Sequence, residues 1–177
     1  MTDLPSGWVA AKLSDLCEIN PRPDKSQIDP QTLVSFVPMP AVEAESGMMD
    51  VSETRKFHEV KQGYTAFQEG DVLFAKITPC MENGKMAIVP KLVSQHGFGS
   101  TEFHVIRPSA GIEARYIYHA VSNRWFRYHA EHLMTGAVGQ KRVPISVLED
   151  HEVGLPPTNE QRRIVEKIEA MFERIDE

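Results

Sequence analysis

Two consecutive prolines, Pro156 and Pro157, divide this chain into two kinds of sequence. Proline fixes φ and has no N–H to donate, so neither a helix nor a sheet strand runs through such a pair. On the C-terminal side, Ile164, Ile168, Met171 and Ile175 recur at spacings of four, three and four. That is a heptad seam, and Val165 and Phe172 widen it. Thr158 and Gln161 stand at capping-box spacing just before it. The pattern predicts a helix of roughly 19 residues, about 28 Å long. Its apolar stripe needs cover, from a partner helix or from its own domain. The seam is still running at Glu177, which fits either a piece cut from a longer chain or a second copy meeting it end to end.

Before the prolines the pattern changes to short runs separated by turn residues. Pro5-Ser6-Gly7-Trp8 is a turn leading into Val9-Ala10. Leu13–Leu16 reads as one helical turn and Cys17–Ile19 as a short strand. Asn20–Asp24 is a loop, since its two prolines bar a helix. Leu33–Pro38 reads as a strand, rich in β-branched and aromatic residues. Residues 41–60 read as polar and irregular. Val72–Ile77 is apolar on both faces until Lys76, the signature of a buried strand. Asn83-Gly84 signals a turn, and Met86–Val89 the returning strand of a hairpin. His96–Ser100 is a glycine-rich link into the strand Glu102–Ile106. A helical stretch covers Glu113 to about Leu133, with a break at Asn123. Gly136–Gly139 is a loop, Ile145–Leu148 a turn and Glu152–Leu155 a last strand. Many short strands with a few helices make the chain α+β: a short-stranded mixed sheet over residues 1–157, followed at 158–177 by the start of a long coiled-coil-like helix.

No run of about 18 apolar residues is present to span a membrane as a helix. The first residues lack the basic patch and apolar stretch of a signal peptide. Cys17 and Cys80 form no CxxC pair, which points to free thiols in a reducing cytoplasm. The formal net charge of −6 argues against a nucleic-acid ligand, but its distribution does not. Residues 1–70 carry −5, residues 71–142 carry +4 and residues 143–177 carry −5. A basic middle between acidic flanks suits a domain with one surface turned to DNA.

Three short patterns suggest catalytic chemistry. Pro23-Asp24 with Glu59-Val60-Lys61 spells a PD…ExK nuclease pattern, in which carboxylates would hold a divalent metal. Its spacer is loose and Asp24 sits in a proline loop. Pro79-Cys80 matches the nucleophile dipeptide of cytosine methyltransferases. No glycine-rich strand-to-helix turn accompanies it to hold a methyl donor. His129 and His132 are three apart, where a zinc-protease helix would need H-E-x-x-H. The sequence therefore predicts no catalytic residues, no metal site and no cofactor.

Five motifs, in order, carry a resemblance. They are Leu4-Pro5-Ser6-Gly7-Trp8; Gly70–Pro79 continuing to Glu82-Asn83-Gly84-Lys85; Gly97–Val105; Thr135-Gly136 with Gly139–Pro144; and Leu155-Pro156-Pro157 with Glu160, Gln161 and Ile164. Together they resemble the target recognition domain of a type I restriction-modification specificity subunit. In that family two such domains are joined by two long antiparallel helices, and each reads half of a split DNA target. The resemblance implies sequence-specific binding of double-stranded DNA, modification subunits as partners, and a non-catalytic role. A restriction subunit and a second copy of this chain, meeting through Ile164, Ile168, Met171 and Ile175, are further candidate partners. A stand-alone nuclease, or a module that sequesters modification subunits, are the alternatives.

The residues themselves suggest where DNA would lie. Lys76, Thr78, Asn83 and Lys85 offer two ammonium groups with hydroxyl and amide donors, which suit phosphates. Ser100 and Thr101 add hydroxyls. In the loop ending Gln140-Lys141-Arg142, Gln can read adenine, Arg guanine, and Lys suits phosphate.

Overall fold

A computed structural model describes residues 4–174. Strand β6 (Val72–Ala75) explains most of the architecture, because all four of its residues are buried. Val72 and Phe74 point into one core and Leu73 and Ala75 into another. Successive side chains on a strand leave opposite faces, so an apolar run with no polar alternate needs cover on both sides. β6 sits inside a four-stranded antiparallel sheet of order β2-β9-β6-β7, with β2 at Cys17–Ile19, β7 at Met86–Ile88 and β9 at Phe103–Pro108. The salt bridge between Asp71 and Arg107 locks β6 to β9, both oxygens of the buried carboxylate engaged at 2.8 Å.

One face of this sheet packs on helices α3 (Ala114–Ser122) and α4 (Arg124–His132), through Ile117, Val121, Phe126 and Ala130. The other face meets a second sheet of order β4-β3-β8-β5: β3 at Leu33–Val37, β4 at Thr54–Lys56, β5 at Thr65–Phe67 and β8 at Gly97–Gly99. Val37, Phe67, Leu73, Phe103 and Val105 fill the space between. Burying each such side chain stabilises the fold by roughly 1.5–3 kcal/mol. Helix α1 (Leu13–Leu16) follows β1 (Val9–Lys12), which pairs antiparallel with β10 (Glu152–Leu155), so the start of the domain is tied to its end.

The α+β class read from the sequence stands, with corrections in detail. The expected break at Asn123 is present: its side chain accepts from Phe126 N–H and donates to the Ala120 carbonyl, ending one helix and capping the next. The glycine-rich link is a strand: β8 lies parallel to β3 and antiparallel to β5. A Cβ on Gly97 would fall 2.3 Å from Phe67, and one on Gly99 2.3 Å from the Val37 carbonyl oxygen. Glycine is there for closeness of packing, not as a linker. The irregular stretch 41–60 holds β4 and a short helix α2 (Phe57–Val60), and β5 was not anticipated. Ile145–Glu149 is a helical turn, α5, not a simple turn.

The last helix, α6, runs Thr158–Glu173. The capping box is absent. Thr158 Oγ1 donates to the Gly111 carbonyl at 3.0 Å, and Gln161 turns inward. The heptad seam is also divided. Val165 is buried on the chain's own domain, Ile164 and Ile168 are half-buried, and Met171 and Phe172 are exposed. Ile175 lies outside the described residues. Among the described residues no helix is long and apolar enough to cross a membrane.

Candidate nucleic-acid interface

The end of β6, the turn before β9 and the glycine loop meet at one place. Lys76 N–H donates to the Glu102 carbonyl at 2.9 Å, and Val143 N–H to the Lys76 carbonyl at 2.8 Å. Thr78 N–H donates to the Lys141 carbonyl at 3.0 Å, so residues 141–143 lie along residues 76–78. Thr135 and Arg142 exchange backbone bonds of 3.0 and 2.8 Å, which close the glycine loop into a small hairpin. Gly139 holds a φ of +79°, which a side chain would strain, and beside it Val138 at the tip is 95% exposed.

Of the residues expected to meet DNA, several are open. The side chains of Thr101, Gln140 and Lys141 are exposed and make no hydrogen bond among the described residues. Asn83 is exposed on the neighbouring turn, its N–H on the Pro79 carbonyl. Lys76 is half-buried, and burial holds its ammonium below the usual lysine range. Other groups are already engaged. Thr78 Oγ1 donates to Glu82 at 2.9 Å, and Ser100 Oγ accepts from Glu102 N–H. The Arg142 guanidinium is held on the Glu102 carboxylate, and its third nitrogen donates to the Gln140 carbonyl. Lys85, expected beside phosphate, is engaged within the fold. Its ammonium donates to the Val42 carbonyl at 2.6 Å and the Met39 carbonyl at 3.4 Å, fastening the 39–42 turn to β7.

The sequence reading missed the other side of this face. An open groove of about 440 Å³ runs beside Lys76, lined also by Asn20, Arg22, Lys25, Tyr64 and Phe103. Arg22 is exposed and makes no salt bridge among the described residues. Lys25 donates to the Lys61 carbonyl at 3.3 Å and lies over the Phe98 ring. The loop is fixed by Asn20, whose Oδ1 accepts from Val105 N–H and whose Nδ2 donates to His104 Nδ1 at 3.0 Å. His104 Nε2 then donates to the Val143 carbonyl at 2.9 Å. One buried imidazole thus joins the Asn20 loop to the glycine-loop strip. The sequence signal was a cation between two prolines just after a strand, with a second cation two residues beyond them, a pattern that says loop but not which way the loop faces.

The profile of the family described as "Type I restriction modification DNA specificity domain" matches residues 5–177. This chain belongs to that family. Two curated relatives are the specificity subunits of the type I restriction enzymes EcoEI and EcoAI of Escherichia coli. Against the first the chain is 42% identical over 164 residues, 92% of its own length and 27% of the relative. Against the second it is 39% identical over 176 residues, 99% of its length and 30% of the relative. The specificity domain therefore spans less than a third of those subunits. Its fold matches the HsdS subunit of Thermoanaerobacter tengcongensis with a TM-score of 0.78 at 26% identity, covering 98% of this chain and 44% of that one. A chain from a study of the assembly and conformational transition of the type I R-M system matches with a TM-score of 0.80 at 27% identity, covering 99% and 45%.

Catalytic readings gain nothing from the geometry of this specificity domain. Asp24 accepts from Ser26 N–H and Glu59 from Lys56 N–H, so each carboxylate closes its own turn. Burial pushes the Cys80 thiol up, away from the thiolate a methyltransferase would need. His129 stacks on Trp125, and His132 bonds the Tyr128 carbonyl. Among the described residues no three His, Cys, Asp or Glu side chains are grouped to hold a metal ion.

Proposed function

We propose that this chain reads one half of a split target in double-stranded DNA and directs type I modification subunits to it, in the cytoplasm and without catalysis of its own. In this reading residues 1–157 are the recognition domain and residues 158–177 begin the spacer helix. The observation that carries it is the basic face in an otherwise acidic chain. Arg22, Lys25 and Lys76 line one groove, and Lys141 and Arg142 lie on the strip bonded to residues 76–78. Phosphate contacts from such cations would set position on the duplex, while Gln140 and Arg142 reach base edges. The exposed Met171 and Phe172 of α6 suit a modification subunit, a restriction subunit or a second copy.

The test is co-expression with an adenine-methylating type I modification subunit, followed by mapping of methylated bases across the host genome. The expected result is one recurring motif that disappears without this chain. No new methylation, with the modification subunit active beside a full-length specificity subunit, would overturn the reading.

A further inference from the structure

Gln161 does not cap α6, and its actual contacts point to another role. Its side chain is 1% exposed. Oε1 accepts from Glu113 N–H at 2.9 Å, and Nε2 donates to the Pro156 carbonyl at 3.0 Å. Glu113 is the N-cap of α3, and Pro156 begins the two-residue link from β10 to α6. One amide therefore joins the spacer helix, the domain's main helix and the connection between them.

The other contacts define direction less well. Thr158 bonds Gly111 at the first residue of α6, where it fixes the helix end but not its course. The pairs Arg162–Glu113 and Arg115–Glu169 have exposed arginines, and such pairs are weak in water. Val165 supplies apolar burial, which has no direction. Gln161 combines burial with two directional bonds, and leaving either partner unmade inside the protein is costly.

We propose that Gln161 is a positioning residue that sets the angle at which α6 leaves the recognition domain. The lever is long. A helix of 16 residues spans about 24 Å. A rotation of about 20° at its base would move the far end by about 8 Å, more than two base-pair steps of about 3.4 Å. If the chain reads a half-site as proposed above, this joint helps set the half-site spacing; the angle itself does not depend on that reading.

The experiment measures the angle in the free chain, so a wild type that fails to bind duplex would sink the recognition reading and leave this one standing. Nitroxide labels are attached at cysteines replacing Glu69 and Glu173, both exposed, in a chain carrying Cys80→Ser. Pulsed electron resonance then gives the distance distribution. The wild type should give one narrow distribution at pH 8 and at pH 5. Gln161→Met, similar in volume but without the amide, should widen it at least twofold while thermal unfolding stays cooperative. Gln161→Glu should be wide at pH 8, where a carboxylate cannot donate to Pro156, and narrow at pH 5, where a carboxylic acid can make both bonds. A side chain that only fills space would give narrow distributions in the Met variant and no pH response in the Glu variant; either result overturns the proposal. If Gln161→Met fails to fold, the Glu variant decides alone, and equal widths at the two pH values refute the idea.

Discussion

Glu102 holds Arg142 with both carboxylate oxygens, at 2.9 Å to Nε and 2.7 Å to Nη2. The guanidinium that the glycine loop presents is thus oriented but occupied. The pair is partly exposed, 44% for Arg142 and 24% for Glu102, so its loss should cost the fold little. Glu102→Gln frees the arginine and removes a negative charge beside Lys76. Affinity for a mixed-sequence duplex should rise several-fold at low salt, and its salt dependence should steepen by about one phosphate contact. Arg142→Ala should act in the opposite sense. Fluorescence anisotropy over a salt series measures both, and unchanged binding in both variants would remove Arg142 from the interface.

The open and the sequestered cations should behave differently. Arg22→Ala, Lys76→Met and Lys141→Ala should each weaken duplex binding alike across sequences and flatten the logarithmic salt slope by about 0.9. Lys85→Met should leave binding within about twofold, because its ammonium serves the Met39 and Val42 carbonyls. That change should instead lower stability by roughly 1–3 kcal/mol. Anisotropy and thermal melting, run on the same four proteins, separate the two effects.

Glycine in β8 is a steric requirement. Gly99→Ala would push a methyl group against the Val37 carbonyl at 2.3 Å, and backbone cannot swing aside. Gly97→Ala meets the Phe67 ring at the same distance, and that ring has no exposed surface into which to move. Each change should destabilise the domain by about 3 kcal/mol or more, beyond the usual range for overpacking. Gly63→Ala is the control: the position is open to solvent, though its φ of +76° carries its own smaller cost. Chemical denaturation midpoints that rank Gly97 and Gly99 no worse than Gly63 would contradict the packing shown by the strand.

The sequence made legible what periodicity and turn chemistry encode. β6 was visible because both its faces are buried, and Asn123 because a short amide side chain suits a helix boundary. β8 was hidden, since its two glycines look like a linker until the neighbouring Phe67 is known. Lys76, Gln140, Lys141 and Arg142 were named from local motifs and lie on adjoining segments. What Lys85 touches was not legible from the same evidence, because residue type says nothing about which carbonyls lie within reach. Arg22 and Lys25 were missed for the converse reason. Their loop is brought to the groove by Asn20 and His104, residues 84 apart in the chain.

The two ends of α6 should respond differently to charge. Met171 and Phe172 are 56% and 58% exposed, so replacing both with Asp should leave the domain's melting temperature within about 2 °C. The same change should abolish capture of a modification subunit or of a second copy. Ile168→Asp, on the half-buried part, should also lower the melting temperature. Analytical ultracentrifugation with melting curves tests this, and undiminished association in the double variant would place the docking surface elsewhere.

Acid should loosen this domain through its histidines before its carboxylates titrate. Burial lowers His104, His119 and His96 below the usual imidazole range, and it takes His151 down to about 4, with the charge of His129 adding to the effect. In the unfolded chain these groups titrate near pH 6.5. Between about pH 6.5 and 4 the unfolded state therefore binds more protons than the folded one, so stability falls as pH falls. It is fully present above the unfolded value and, for His151, levels off below about 4. His104 adds a structural consequence. A proton on Nδ1 removes the acceptor for Asn20 Nδ2, so the Arg22 loop should loosen with it. Melting temperature should be flat above about pH 7 and decline steadily below it. His151→Leu keeps an apolar group against Phe126 and removes one titration, so its decline should be shallower than the wild type's. Parallel curves for the two proteins would mean that His151 takes up no differential proton on unfolding.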